Sequence, residues 1–178
     1  MFSLIVDEEI ELCLVDLLLA PQMVAIILDE KEYLGQWLAW PMHTDTIADY
    51  LEYVKIVADE YAQGKGIACN ILFRGKPVGA AGFNYINKSL RKAEIGYWLS
   101  EKAQGNGIMT RACKKLINIA FTELDLEKIE VPVATGNKAS RAVCERLGMH
   151  AEGTITNAEN LNGRIIDHVY YALARPKT

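Results

Sequence analysis

The sequence predicts an α/β chain built on one central mixed sheet. Three observations predict it. The elements run strand, two helices, three meandering strands, helix, strand, helix, two strands. The stretch from Ile95 to Val133 has the length of a strand–helix–strand crossover, which parallel pairing requires. The chain has 178 residues, 51% apolar and 24% charged, so residues 1–178 suit one well-buried domain and are short for two. About seven strands and about four helices are expected.

Ile10 to Val15 reads as the first strand. Pro21 suits the start of a helix to Glu30, because its missing N–H costs nothing there. Tyr33 to Trp40 reads as a short aromatic helix or turn stopped by Pro41. Thr44-Asp45 is the expected cap of a helix to Gln63, with Tyr50, Leu51, Val54, Val57 and Tyr61 in its apolar stripe. Ala68 to Arg74 and Pro77 to Tyr85 flank Gly75-Lys76 as a hairpin. Lys92 to Leu99 is a further strand, and Ile108 to Leu124 a helix with one apolar face. Lys128 to Ala134 is a strand. Lys138 to Leu147 is a helix closed by Gly148. Met149 to Thr156 and Arg164 to Ala174 end the chain, joined through Asn162-Gly163.

The formal charge is −4, against the basic excess of a general nucleic-acid binder. An anionic ligand therefore needs a local site. No two of Cys13, Cys69, Cys113 and Cys144 fall at metal-ligand spacing, and His43, His150 and His168 are scattered, so no metal is expected. The thiols read as small buried hydrophobes in a reducing cytosol. Leu12 to Ile27 is interrupted by Asp16, Pro21 and Gln22, too broken for a membrane span. Asp7, Glu8, Glu9 and Glu11 argue against a signal peptide, so a cytoplasmic protein is expected.

One loop has the chemistry of a phosphate site. Lys102-Ala103-Gln104-Gly105-Asn106-Gly107 lies between a strand and a helix. Two glycines allow close backbone approach and positive φ. The helix that follows offers free N–H groups and the positive end of its dipole. Arg111, Lys114 and Lys115 add positive charge nearby. A near copy, Ala62-Gln63-Gly64-Lys65-Gly66-Ile67, is followed by a strand and reads as a plain connection. Neither copy is a dinucleotide fingerprint or a P-loop.

Several segments, in order, resemble the GNAT superfamily of N-acetyltransferases. They are Ala93-Glu94-Ile95-Gly96-Tyr97-Trp98-Leu99, Gln104-Gly105-Asn106-Gly107-Ile108-Met109, Asn137-Lys138-Ala139-Ser140 and Glu145-Arg146-Leu147-Gly148-Met149. The resemblance is closest to the ribosomal-protein alanine and serine N-terminal acetyltransferase branch, and Gly35-Gln36-Trp37-Leu38 adds to it. It implies an acetyl-CoA cosubstrate, no metal, an amine acceptor and no membrane or nucleic-acid partner; a homodimer is the assembly the family allows. It also implies that Gln104, Gly105, Asn106, Gly107, Ile108 and Met109 wrap the CoA pyrophosphate with main-chain N–H groups. Trp98 and Leu99 would pair with the pantetheine arm, Asn137 would hydrogen-bond it, and Ser140 would sit near the thioester sulfur. Two positions depart from the pattern: Lys102 stands where Gln or Arg is common, and Cys144 where many members have an acidic Tyr.

For the chemistry, Glu94 is the expected base, acting directly or through water. Strand alternation sets Glu94, Gly96 and Trp98 on one face and Ile95, Tyr97 and Leu99 on the other. The bland alternative pairs Glu94 with Arg91 or Lys92. A main-chain N–H at Trp98 or Leu99 is the expected oxyanion donor, and Ser140 the donor to the leaving sulfur. Asn137 also reads as a simple helix cap. Tyr33, Trp37, Trp40 and His43 read first as packing and second as a cleft wall; Asp7 to Glu11 read as a solvated face. The acceptor expected is a protein N-terminal α-amine. A small amine (antibiotic or polyamine), a catalytically weak acyl-CoA-binding module and a nucleotide-binding protein are the alternatives.

Overall fold

The computed structural model describes residues 3–177. One eight-stranded sheet runs in the order β1-β2-β3-β4-β5-β6-β8-β7. Its strands are β1 Ser3–Ile5, β2 Ile10–Leu14, β3 Ile67–Phe73, β4 Lys76–Asn87, β5 Lys92–Leu99, β6 Lys128–Ala134, β7 His150–Leu161 and β8 Arg164–Ala174. The α-helices are α1 Ala20–Asp29, α2 Lys31–Leu34, α3 Ile47–Ala62, α4 Ile108–Thr122 and α5 Lys138–Arg146. The added strand, β1, has three residues, too few to show a period.

Every neighbouring pair is antiparallel except β5 and β6, which the α4 crossover makes parallel. Two apolar clusters sandwich the sheet. Ile95, Tyr97 and Leu99 of β5 join the cluster that includes α4 and α5, and Trp98 joins the one with α1 and α3. The alternation read from the sequence therefore holds along β5.

Local corrections have simple causes. The β3–β4 turn is Arg74-Gly75, not Gly75-Lys76, because Phe73 pairs with Lys76. Both turn residues have positive φ, 51° and 75°, as a two-residue hairpin of the right twist requires. Pro41 does not stop a helix; it sits in the first turn of a 3-10 helix over Trp40–His43, where its missing donor is harmless. Thr46, not Thr44-Asp45, caps α3. The Thr44 hydroxyl is committed to Trp40 O (3.2 Å), whereas Thr46 and Asp49 form a reciprocal capping box. Strand β7 extends to Leu161, so Asn162-Gly163 is a tight turn with both φ positive. No described helix is long and apolar enough to cross a membrane.

Candidate active site

The parallel pair β5–β6 is laddered only from Lys92–Lys128 to Glu94–Glu130. Beyond that point the two strands separate, although β5 runs on to Leu99 and β6 to Ala134. The sheet therefore opens into a cleft of about 1360 Å³, larger than a usual single-ligand pocket and suited to two reactants. The alternating β4–β5 ladder, set by Ser100 N–H to Val78 O (2.8 Å), turns the Trp98 N–H toward β4. The N–H groups of Tyr97 and Leu99 then point at the opening. The Leu99 N–H is thus open to the cleft, and the Trp98 N–H is spent on β4.

The glycine loop forms one mouth of this cleft. Gly105 (φ 78°) and Gly107 (φ 66°) are left-handed, with open space where a Cβ would stand. Gly107 is the N-cap of α4, no side chain caps that end, and no acid lies in its first turn. The first N–H groups of α4 are thus free for an anion. Ile108 and Met109 bury their side chains beneath it. Asn106 folds its amide back onto Ala103 O (3.1 Å) and Gln104 O (3.0 Å), fixing the loop from within. Uncapped donors, unfilled space over two glycines and a splayed strand edge fit a diphosphate carried on an extended arm.

The loop is also held from outside. Buried Glu30, at the end of α1, accepts from Ser100 Oγ (2.7 Å) and Glu101 N–H (2.8 Å). Lys102 pairs with Asp29, and Gln104 with the Tyr33 hydroxyl. Arg111 donates to Asn106 O (3.0 Å), Asp7 (2.9 Å) and Glu9 (3.0 Å). Its charge is therefore committed to those carboxylates, not offered to a ligand. Asp7 and Glu9 are not a simple solvated face. The Asp7 carboxyl lies below its ordinary range: burial opposes this, but N–H donors of Glu9 and Ile10 and the Arg111 guanidinium outweigh it.

Across the cleft, Asn137 caps α5, its Oδ1 accepting from Ser140 N–H (3.1 Å). The cap and a cavity-lining position coincide in one residue. Ser140 lines the cavity, and its Oγ lies 2.9 Å from the Tyr97 hydroxyl. Cys144 is fully buried and does not line the cleft. Burial pushes its thiol up to about 11, so it stays a neutral thiol at neutral pH.

Glu94 lines the other half. Neither cation of the bland reading holds it: Arg91 pairs with Asp125 (2.8 Å) and Glu127 (2.9 Å), and Lys92 with Glu130 (2.7 Å). Its Oε1 accepts from Asn84 Nδ2 (3.3 Å), on a residue that bulges out of β4. Tyr33, Trp37, Trp40 and His43 all line the cavity, so the aromatic group is a wall of it. Trp40 packs on Trp98 with centroids 5.8 Å apart, and the Trp37 ring lies 3.0 Å from where a Cβ on Gly136 would stand. One further pair was not visible in the sequence. Glu159 and His168, both lining the cleft, meet at 3.1 Å because a bulge in β7 shifts the register between Ile155 and Glu159. Among the described residues no group of His, Cys, Asp or Glu could hold a metal ion.

The chain is similar to known proteins in sequence and in overall structure. The family model for the acetyltransferase (GNAT) domain matches residues 12–150. The YdaF protein of Bacillus subtilis (strain 168), carried under a ribosomal N-acetyltransferase name, is 36% identical over 178 residues, 98% of this chain and 96% of that protein. A solved structure of RimL, a ribosomal L7/L12 alpha-N-protein acetyltransferase in complex with coenzyme A, superposes with a TM-score of 0.94. The identity is 28%, covering 97% of this chain and 98% of that one. The microcin C7 self-immunity acetyltransferase MccE, in complex with acetyl-CoA and AMP, gives 0.93 at 29% identity, covering 96% and 94%. The chain belongs to the GNAT family of acetyltransferases.

Proposed function

We propose that this protein transfers an acetyl group from acetyl-CoA to a primary amine, and that the acceptor is a protein N-terminal α-amine. The observation that carries the reading is the parting of β5 from β6 after Glu94. It joins an uncapped, glycine-lined helix start to a carboxylate-bearing vestibule through one opening. Bound acetyl-CoA supplies the activated acyl group. The main-chain N–H groups from Gly105 to Met109 hold its diphosphate, and Asn137 donates to its arm. The Leu99 N–H faces the developing oxyanion; one such donor contributes roughly 3–4 kcal/mol. Glu94 takes the proton that the amine releases, directly or through water. Ser140 donates a hydrogen bond to the departing sulfur. The RimL and YdaF likenesses support the polypeptide acceptor.

A small cationic amine is the second reading, and the lining charge favours it. Asp49, Glu52, Glu60, Glu94 and Glu159 line the cleft against Arg146 as the one lining Lys or Arg among the described residues. Thiol release from acetyl-CoA with peptides beginning in Ser or Ala, an aminoglycoside and spermidine decides between them. The highest kcat/KM is expected for a peptide. Turnover with spermidine alone would establish the second reading. CoA binding without turnover of any amine would leave an acyl-CoA-binding module, and heat protection by ATP but not CoA would end the acetyltransferase reading.

Glu94→Gln should lower the rate most at acidic pH. An α-amine has a pKa of about 7.7–8.0, so its neutral fraction grows with pH and replaces the lost base. The measurement is kcat/KM for one peptide from pH 6 to pH 9. Wild-type rates throughout that range would remove Glu94 from the mechanism.

A further inference from the structure

The Tyr97 hydroxyl lies 2.9 Å from Ser140 Oγ, 3.2 Å from the Ser140 carbonyl and 3.9 Å from Cys144 Sγ. Its ring belongs to the core under α4 and α5, while its residue and Ser140 both line the cleft. We propose that Tyr97 is a positioning residue: its phenol donates to Ser140 Oγ, so the serine's own proton is directed into the cleft to hydrogen-bond the departing sulfur. This rests on the acetyl-CoA reading above.

The alternatives for a serine in the first turn of a helix make the point. Left alone, its hydroxyl bonds back to the helix backbone and offers the cavity a lone pair. The phenol has one proton and two acceptors on Ser140, the carbonyl at 3.2 Å and Oγ at 2.9 Å; given to the nearer Oγ, that proton fills the lone pair and leaves the serine O–H free to turn outward. The donor must stay protonated to do this. Desolvation raises the Tyr97 pKa far above its ordinary value. The thiols facing it, Cys144 on α5 and Cys113 on α4, are raised by burial as well and stay neutral. No proton leaves Tyr97 in the reaction. The N–C bond forms, the C–S bond breaks with its electron pair on sulfur, the amine's proton goes to Glu94 or its water, and the thiolate is protonated afterwards from solvent. Tyr97 and Ser140 lower the energy of the negative sulfur in between.

The test is a double-mutant cycle with Tyr97→Phe and Ser140→Ala. Each single variant should lower kcat about tenfold, the effect of one hydrogen bond, with KM for acetyl-CoA within about twofold. The double variant should be no slower than either single one. A second readout is independent of turnover. The ultraviolet thiolate band of CoA bound to the protein, corrected for the free protein, should titrate at lower pH in the wild type than in Tyr97→Phe. Additive losses, wild-type kcat in Tyr97→Phe, or identical thiol titrations would overturn the proposal. If Tyr97→Phe fails to fold, an unchanged kcat and thiol titration in Ser140→Ala overturns it. If the wild type binds no CoA by calorimetry, the acetyl-CoA reading falls and takes this one with it; if CoA binds normally and only the cycle fails, Tyr97 alone is at fault.

Discussion

Gly107→Val should weaken binding of acetyl-CoA about a hundredfold, some 2.7 kcal/mol, with a loss of fold stability no larger than the same substitution costs at a left-handed glycine outside the site. Gly107 has φ of 66° and caps α4, with no atom within 4 Å of where a Cβ would stand. A β-branched residue held there costs roughly 1–3 kcal/mol, which the loop can relieve by leaving the left-handed region. Leaving it swings the first N–H groups of α4 away from the site they share. The strain alone corresponds to a melting shift of about 2–12 °C for a chain of this size. Gly148→Val is the control, because Gly148 has the same hand (φ 74°), the same open space, and lies beyond the far end of α5. It should cost comparable stability and leave the dissociation constant unchanged. Calorimetry on both variants separates strain from recognition. Equal affinities would mean that the glycine loop does not hold the ligand.

What could be read in advance follows from how far apart the partners lie in sequence. The strand, glycine loop and helix from Lys92 to Thr122 carry local periods and a local φ requirement, and all were legible. So were the parallel crossover and the faces of β5. The Tyr97–Ser140 contact spans 43 residues and depends on how α5 packs on the sheet. No local pattern encodes it, and attention to Cys144 in the helix missed the phenol supplied by the strand. Glu159 and His168 are only nine residues apart, yet their meeting depends on a β7 bulge where Asn157 has φ of 52°. Asn and Glu in a hairpin do not announce a bulge. Arg111 shows the opposite error: a cation near a phosphate loop suggested a ligand, but its charge is spent on Asp7 and Glu9, about a hundred residues away.

Glu30→Ala tests whether that scaffold, and not the loop alone, shapes the site. Glu30 is 7% exposed and Ser100 6%. Truncation leaves the buried Ser100 hydroxyl and the part-buried Glu101 N–H, now bonded at 2.7 and 2.8 Å, without these acceptors. Each orphaned donor costs about 1–3 kcal/mol, so a loss of about 3 kcal/mol is expected. That corresponds to a melting temperature lower by roughly 6–12 °C. Glu30→Gln, which keeps one accepting oxygen, should lose about half as much. Lys102→Ala removes only the exposed Lys102–Asp29 pair, which solvent screens, and should leave the melting temperature close to that of the wild type. The functional consequence follows from geometry. With Glu30 gone, the side-chain hydrogen bonds that tie the segment before Gly105 to the first two helices, among the described residues, are those of Lys102 and Gln104, both exposed. KM for acetyl-CoA should rise about tenfold, close to the 1.4 kcal/mol of one ordering contact. Stability and affinity should thus fall together in Glu30→Ala, whereas Gly107→Val divides them. A Glu30→Ala protein that melts like the wild type, measured by calorimetry, would mean that water reaches the Ser100 hydroxyl and that this carboxylate does not anchor the loop.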